Sequence, residues 1–242
     1  MNIPLAAAGL AALMLLLAGP GVRLGLWSFR TGFDVLRWGA YLGLIAGPLA
    51  LAQLLVPRWR APRPWMPVLA LVLGALAAGV PWYWRRLAGQ VPPIHDISTD
   101  TADPPSFVAV LPLRADAANP ATYGGPEIAA QQASAYPDIR PLVLPATAPG
   151  AAFARARDAA RASGWTLVAA DSAEGRIEAT ATTAWFGFKD DVVVRIRPER
   201  QGSRVDVRSV SRVGRSDVGT NAHRIRSYLA RLRPAEGADA RR

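Results

Sequence analysis

Three long apolar stretches in the first third of the chain constrain its fold more than any other feature. They run over residues 3–26, 36–56 and 65–84, and each is near the length of about 20 residues that a helix needs to cross a bilayer. Helices of a soluble bundle would carry a polar stripe with the helical period, and these stretches carry none. We therefore predict three transmembrane helices within residues 1–88.

The ends of these stretches support a membrane location but leave its sidedness open. Aromatic side chains, which favour the headgroup region, flank all three stretches. They are Trp27, Trp38, Trp59, Trp65, Trp82, Tyr83 and Trp84. Five arginines lie near the first connection and after the third stretch, against three near the second connection, which favours only weakly a cytoplasmic location for the rest of the chain. No Asp, Glu, Lys or His lies within a stretch, so an ion or proton pathway is not indicated.

The net charge of +10 is concentrated beside the apolar stretches. Residues 1–93 carry eight Arg and one Asp, whereas residues 94–242 carry twenty basic and seventeen acidic side chains. Because the later arginines alternate with acids and no basic-aromatic stripe occurs, we do not expect nucleic-acid binding. The lack of cysteine excludes disulfides, thiolate metal sites and a cysteine nucleophile.

Residues 89–148 are rich in proline and have neither a helical nor a strand period. Eleven of the 21 prolines lie between Pro92 and Pro149, and proline interrupts helices and central strands. An apolar patch over residues 107–113 indicates that the segment is not simply disordered. We expect extended segments packed on the following domain, with Val143 in an edge strand.

Residues 149–233 have the pattern of an α-β-β-β-β-α domain. Pro149 and Gly164 bracket an Ala-rich amphipathic helix. Four runs of alternating polarity follow, which predicts an antiparallel meander with one face in water. Ser216 or Asp217 is placed to cap a closing helix. The expected fold class is α+β, with transmembrane helices followed by a meander sheet flanked by two helices. Residues 234–242 are expected to form a disordered tail.

Three motifs are shared with a known family. They are IHDISTD (residues 94–100) with Pro104 and Pro105, FGFKDDVVVRI (186–196), and DVRSVSRVGRSD (206–217) with Gly219, Asn221, Arg224 and Ile225. On these motifs the chain resembles the domain of unknown function 1499 family over about residues 94–232. The resemblance implies no activity. It implies that this region lies on the outer side of the membrane, as in envelope-type relatives. The arginine count favours the opposite, cytoplasmic side.

The polar residues of the later motifs form one candidate site. They are Asp190, Asp191, Arg195, Arg212, Asp217, Asn221 and Arg224. Adjacent carboxylates are suited to acid–base work or to binding a divalent ion. The alternative interpretation, which we favour, is a set of buried Arg–Asp pairs that fasten the last helix to the sheet.

A second candidate cluster lies at the start of the same region. His95, Asp96 and Asp100 would form the corner of a metal site, but zinc needs three or four ligands and this spacing matches no familiar pattern. The sequence has no Gly-x-Ser-x-Gly motif and no Walker motif. We therefore predict neither a metal nor a cofactor.

These observations favour binding over catalysis. We expect a multi-pass protein of the cell inner membrane, in the bacterial envelope, whose groove between helices and sheet accepts a lipid or a membrane-protein partner. The alternative is a membrane-anchored hydrolase or isomerase that uses Asp190, Asp191 and Arg212.

Overall fold

The computed structural model describes residues 2–233, so the predicted tail, 234–242, lies outside the described residues. The chain divides into two compact units. The helical unit comprises residues 2–90 with residues 183–187, and the sheet unit comprises residues 91–182 and 188–233.

The helical unit contains three helices, α1 (Ile3–Arg23), α2 (Phe29–Leu55) and α3 (Trp65–Ala88). Each is long and apolar enough to cross a membrane, as predicted. α2 starts earlier than its apolar run because the Ser28 hydroxyl accepts the N–H of Thr31 and caps the first turn. Helical structure therefore extends past the apolar residues.

Small residues allow the helices to pack closely. A Cβ added at Gly43 would lie 2.7 Å from the carbonyl oxygen of Gly74, so α2 and α3 need glycine at this crossing. Buried alanines continue the contact surface, whereas large aliphatic side chains such as Leu13, Leu44 and Val72 are exposed. In a bilayer these outward side chains would contact hydrocarbon.

The sheet unit contains one antiparallel sheet of six strands. They are β1 (Asp96–Ser98), β2 (Leu142–Pro145), β3 (Thr166–Asp171), β4 (Arg176–Thr182), β5 (Lys189–Glu199) and β6 (Gly202–Ser211). Their order is β1-β6-β5-β4-β3, and β2 pairs with another part of β6. The meander of β3 to β6 confirms the predicted α+β fold class. Val143 lies in β2, opposite Arg204.

Two helices, α5 (Pro149–Ala162) and α6 (Thr220–Leu232), pack on one face of this sheet. The ring of Trp165 stacks on that of Tyr228, with centroids 4.7 Å apart. The Tyr228 hydroxyl donates a hydrogen bond to the carbonyl oxygen of Ala156 at 2.8 Å. The protein's own side chains thus fill the space where the sequence suggested a groove for a ligand.

The opposite face of the sheet is covered, contrary to the prediction of a face in water. Phe107 and Val110 of the Pro-rich segment pack on Val193 of β5 and Val210 of β6, and all four side chains are buried. The acidic side chains that are fully buried on this face are Glu178, Asp191 and Asp206. Strand alternation separates the two faces correctly, but it carries no information about a covering segment that has no period.

A helix, α4 (Gly125–Ala135), interrupts the segment that was expected to be extended. Pro126 lies in its first turn, where a missing N–H is harmless. The buried Gln132 donates to the Ser98 carbonyl oxygen at 2.7 Å and accepts the Ser98 N–H at 2.9 Å. This amide pairs with the backbone of β1 as a neighbouring strand would.

The connection between β4 and β5 belongs to the helical unit. Arg23 of α1 donates to two backbone carbonyl oxygens of this connection, at 3.1 and 2.7 Å. The rings of Phe33 and Phe186 lie 5.1 Å apart, and a Cβ added at Gly19 would overlap the indole of Trp185. This aromatic turn therefore packs directly on α1 and α2.

Candidate functional site

The sheet separates the two adjacent carboxylates of the main candidate cluster. Successive residues of a strand point to opposite faces. Asp190 accordingly meets Arg224 of α6, whereas Asp191 meets Arg114 of the Pro-rich segment. The two groups are not placed to act together on one substrate.

On the helix face, Asp190 anchors a polar network at the start of α6. Its carboxylate accepts a hydrogen bond from Arg224 at 2.5 Å, and Arg224 also donates to the Ser209 hydroxyl at 3.0 Å. The fully buried Asn221 accepts from the same hydroxyl at 2.7 Å and donates to the backbone carbonyl of His95 at 3.0 Å. This network ties α6 to β5 and β6.

Asp217 organises the first turn of α6. Its carboxylate accepts the N–H groups of Gly219 and Asn221, each at 2.8 Å, which satisfies donors that a helix start leaves free. Burial raises the pKa of Asp217, and the two backbone donors offset this only in part. The N-cap is Gly219, not Ser216 or Asp217 as the sequence suggested, but Asp217 satisfies a first-turn donor from two residues before that cap.

On the opposite face, Asp191 is fully buried beneath a 3-10 helix over Leu111–Arg114. Arg114 donates to it at 2.5 Å, Arg212 donates through two nitrogens at 2.8 Å each, and the Thr180 hydroxyl donates at 2.7 Å. These four contacts occupy the acceptor positions of the carboxylate. No position remains for a substrate proton or an attacking water.

Arg195 belongs neither to the network around Asp190 nor to the contacts around Asp191. It belongs to a set of ion pairs farther along the same face of β5, formed by Arg195, Arg197 and Arg204 with Asp100, Asp103 and Asp206. Hydrogen bonding from Arg197 lowers the pKa of Asp103. These pairs fasten the beginning of the Pro-rich segment to the sheet.

The three residues of the second candidate cluster have separate partners. Asp96 accepts two hydrogen bonds from Arg208, at 2.9 and 2.7 Å, and Asp100 belongs to the ion pairs just described. His95 is half-buried, with Nδ1 3.4 Å from the Arg215 carbonyl oxygen. Burial raises the pKa of Asp96, and hydrogen bonding from Arg208 opposes this rise. Among residues 2–233 no three His, Cys, Asp or Glu side chains are grouped as a metal would require.

Glu178 and Arg208 are central to the covered face of the sheet, although neither was among the candidate site residues. The fully buried Glu178 accepts the N–H groups of residues 108–110 at distances between 2.9 and 3.1 Å. Arg208 donates to the carbonyl oxygens of Pro105 and Ala121 at 3.2 and 2.8 Å. Both residues occupy strand positions at which the alternating pattern places polar side chains. That alternation was the sequence signal from which their place on this face could have been inferred.

A protein-family model described as "Protein of unknown function (DUF1499)" matches residues 96–232. The chain belongs to this family. The match confirms the resemblance seen in the sequence motifs. No curated protein and no solved structure matches the chain.

The DUF1499 region contains all the candidate residues except His95, and nearly all of their contacts hold its own elements together. Its surface carries a depression of about 310 Å³ lined by Asp138, Ile139, Arg226, Leu229, Ala230 and Arg233. There Arg226 donates two hydrogen bonds to Asp138, at 2.6 and 2.7 Å. The family description assigns no activity to the region.

Proposed function

We propose that this DUF1499 protein is a non-catalytic binding or scaffold module at the inner membrane of the bacterial envelope. Its apolar helices hold it in the bilayer, and its sheet unit presents a docking surface for a membrane-protein partner.

The proposal rests on three exposed aliphatic side chains of the Pro-rich segment. Val108, Leu111 and Leu113 expose 51%, 45% and 54% of their surface, and we refer to them as the aliphatic ridge. Exposed apolar surface that is grouped and held in place is typical of interaction sites.

Buried charges fix the backbone beneath the aliphatic ridge. Glu178 accepts the N–H of Val108, and Arg212 donates to the carbonyl oxygen of Leu113 at 2.5 Å. Arg114, at the end of the 3-10 helix, is paired with the buried Asp191. A backbone held in this way loses little conformational entropy when a partner docks.

The charge of the sheet face beneath the Pro-rich segment favours a protein partner over an anionic lipid surface. Arginines and carboxylates are paired across it, and the pairs are Arg114 and Arg212 with Asp191, Arg176 with Glu178, Arg208 with Asp96, and the six-residue set around Arg195. A face with nearly balanced charge attracts anionic headgroups weakly. A lipid bound to the aliphatic ridge is the alternative, and crosslinking separates it from a protein partner.

A photo-crosslinking amino acid in place of Leu111, in the full chain in cells, tests the aliphatic ridge. We expect an adduct of one discrete protein mass, and none from a matched probe at the exposed Arg161 of α5. Adducts with lipid alone would identify a lipid partner. Equal adducts at both positions, or none at Leu111, would contradict the proposal.

Replacing Asp190 and Asp191 by Asn tests the alternative of a hydrolase or isomerase. Loss of cellular function in a chain that still folds would support chemistry at these residues. Loss of folding supports the structural interpretation, which we favour because each carboxylate is buried and paired with arginine.

A further inference from the structure

A second surface feature, independent of the aliphatic ridge, lies at the C-terminal end of α3. Trp82, Arg85, Arg86, Gly89 and Gln90 line a shallow groove of about 570 Å³ that is open along most of its length. Their spacing of three and four residues places them along one side of the helix. All five belong to the helical unit.

The groove contains two arginines whose charges are not neutralised within the described chain. Arg85 and Arg86 are exposed, and neither forms an ion pair among residues 2–233. The Arg86 guanidinium carbon lies 5.8 Å from the ring centroid of Trp82, an arrangement that leaves its N–H groups available. Arginine beside tryptophan at the end of a span is suited to the phosphate level of a bilayer.

An exposed apolar stripe leads along α3 to these arginines. Val68, Val72, Ala75 and Gly79 follow one another at steps of four and three residues, and all are exposed. A Cβ added at Gly79 would meet no atom within 4 Å, so the stripe is open just before Trp82. A hydrocarbon chain is able to lie along such a stripe while its headgroup reaches the groove.

We propose that this groove binds the phosphate group of an anionic membrane lipid. Arg85 and Arg86 donate to the phosphate oxygens, and one acyl chain lies along the stripe from Gly79 towards Val68. Free phosphate would gain nothing from the stripe. A second copy of α3 packed in parallel on the same stripe would bring four arginines together without a counter-charge, which is unfavourable.

Lipid retention by the full chain tests this site. The chain is placed in phosphatidylcholine nanodiscs that contain some phosphatidylglycerol, and the bound lipid is measured by native mass spectrometry. The double variant Arg85→Gln/Arg86→Gln should bind phosphatidylglycerol about thirtyfold more weakly, roughly fivefold for each charge.

The matched control is Arg58→Gln/Arg60→Gln at the opposite end of the helices, where Arg58 also lies over a tryptophan ring, Trp59, at 5.4 Å. We expect its binding to stay close to that of the unchanged chain. An equal loss in the control, or no loss in the Arg85/Arg86 variant, would overturn the proposal.

Two further measurements test the lipid site even if the Arg85/Arg86 variant folds poorly. Gly79→Leu blocks the stripe without changing charge, and it should weaken lipid binding while leaving the oligomeric state unchanged. Dissociation of an oligomer by Gly79→Leu, with lipid binding intact, would assign the stripe to a second copy and refute the lipid site. Excess inorganic phosphate should not displace the lipid, and displacement would assign the groove to free phosphate and equally refute it.

Discussion

Replacing Asp191 by Asn should destabilise the sheet unit severely. The carboxylate is fully buried and is the shared partner of Arg114 and Arg212, whose side chains are 4% and 14% exposed. The substitution keeps the size of the side chain but removes its charge, so two guanidinium groups lose their counter-charge in a place that water reaches poorly. Removing one partner of a buried ion pair costs about 3–5 kcal/mol.

The matched control is Asp158→Asn on α5. Asp158 contacts Arg161 at 3.4 Å, but the two side chains are 62% and 59% exposed. Ion pairs in water contribute at most about 1 kcal/mol. The two substitutions are chemically identical, so the difference between them reports burial and pairing alone.

Hydrogen exchange of the full chain in detergent, followed by mass spectrometry, measures this difference. A loss of 3–5 kcal/mol corresponds to a fall in protection of about two to four orders of magnitude. We expect this fall in peptides that cover β5 and β6, with peptides from α1 to α3 serving as an internal reference. If Asp191→Asn protected β5 as well as Asp158→Asn does, the structural role of Asp191 would be refuted and a chemical role would regain support.

Three other substitutions test separate parts of the account. Glu178→Gln should lower the free energy of unfolding by about 2 kcal/mol, because it weakens charge-assisted hydrogen bonds to backbone N–H groups, and an unchanged urea midpoint would contradict this. Asp217→Asn tests the raised pKa of this carboxyl. Because the folded chain holds the Asp217 proton more tightly than the unfolded chain, protonation stabilises the fold. This stabilisation is complete below the ordinary pKa of 3.8 and is lost as the pH rises through the raised pKa. The unfolding free energy of Asp217→Asn relative to the natural chain should therefore increase from pH 3.8 to neutral pH, and a constant difference would argue against the shift. Gly43→Leu should loosen α2 from α3, because its Cβ would lie 2.7 Å from the Gly74 carbonyl oxygen, and undiminished resistance of the helices to protease in detergent would contradict that.

The sequence predicts those parts of the fold that have a period. Apolar run length predicts α1 to α3, alternation predicts β3 to β6, and apolar spacing predicts α5 and α6. The covering of the second sheet face could not be predicted in the same way, because the Pro-rich segment is held by specific contacts such as those of Glu178 and Arg208 rather than by a repeating pattern. α4 was missed because nearby prolines outweighed its Ala- and Gln-rich sequence.

The candidate site was predictable in composition but not in arrangement. Adjacent position in a strand suggested that Asp190 and Asp191 act together, although strand geometry sends them to opposite faces. Arg195 shares a face with Asp191, yet its partners Asp100 and Asp206 lie elsewhere along that face. Which arginine meets which carboxylate depends on contacts between residues distant in sequence, and one sequence does not contain that information.

Whether α3 crosses the membrane is tested most directly by labelling single cysteines. The chain contains no cysteine of its own, so Arg60→Cys, between α2 and α3, and Ser172→Cys, between β3 and β4, each introduce one reactive thiol. If α3 crosses, these positions lie on opposite sides of the membrane, because α3 is the predicted span that separates them along the chain. A membrane-impermeant maleimide added to intact cells should therefore label one variant and not the other, while permeabilised cells show labelling of both. Labelling of both variants, or of neither, in intact cells would contradict the account.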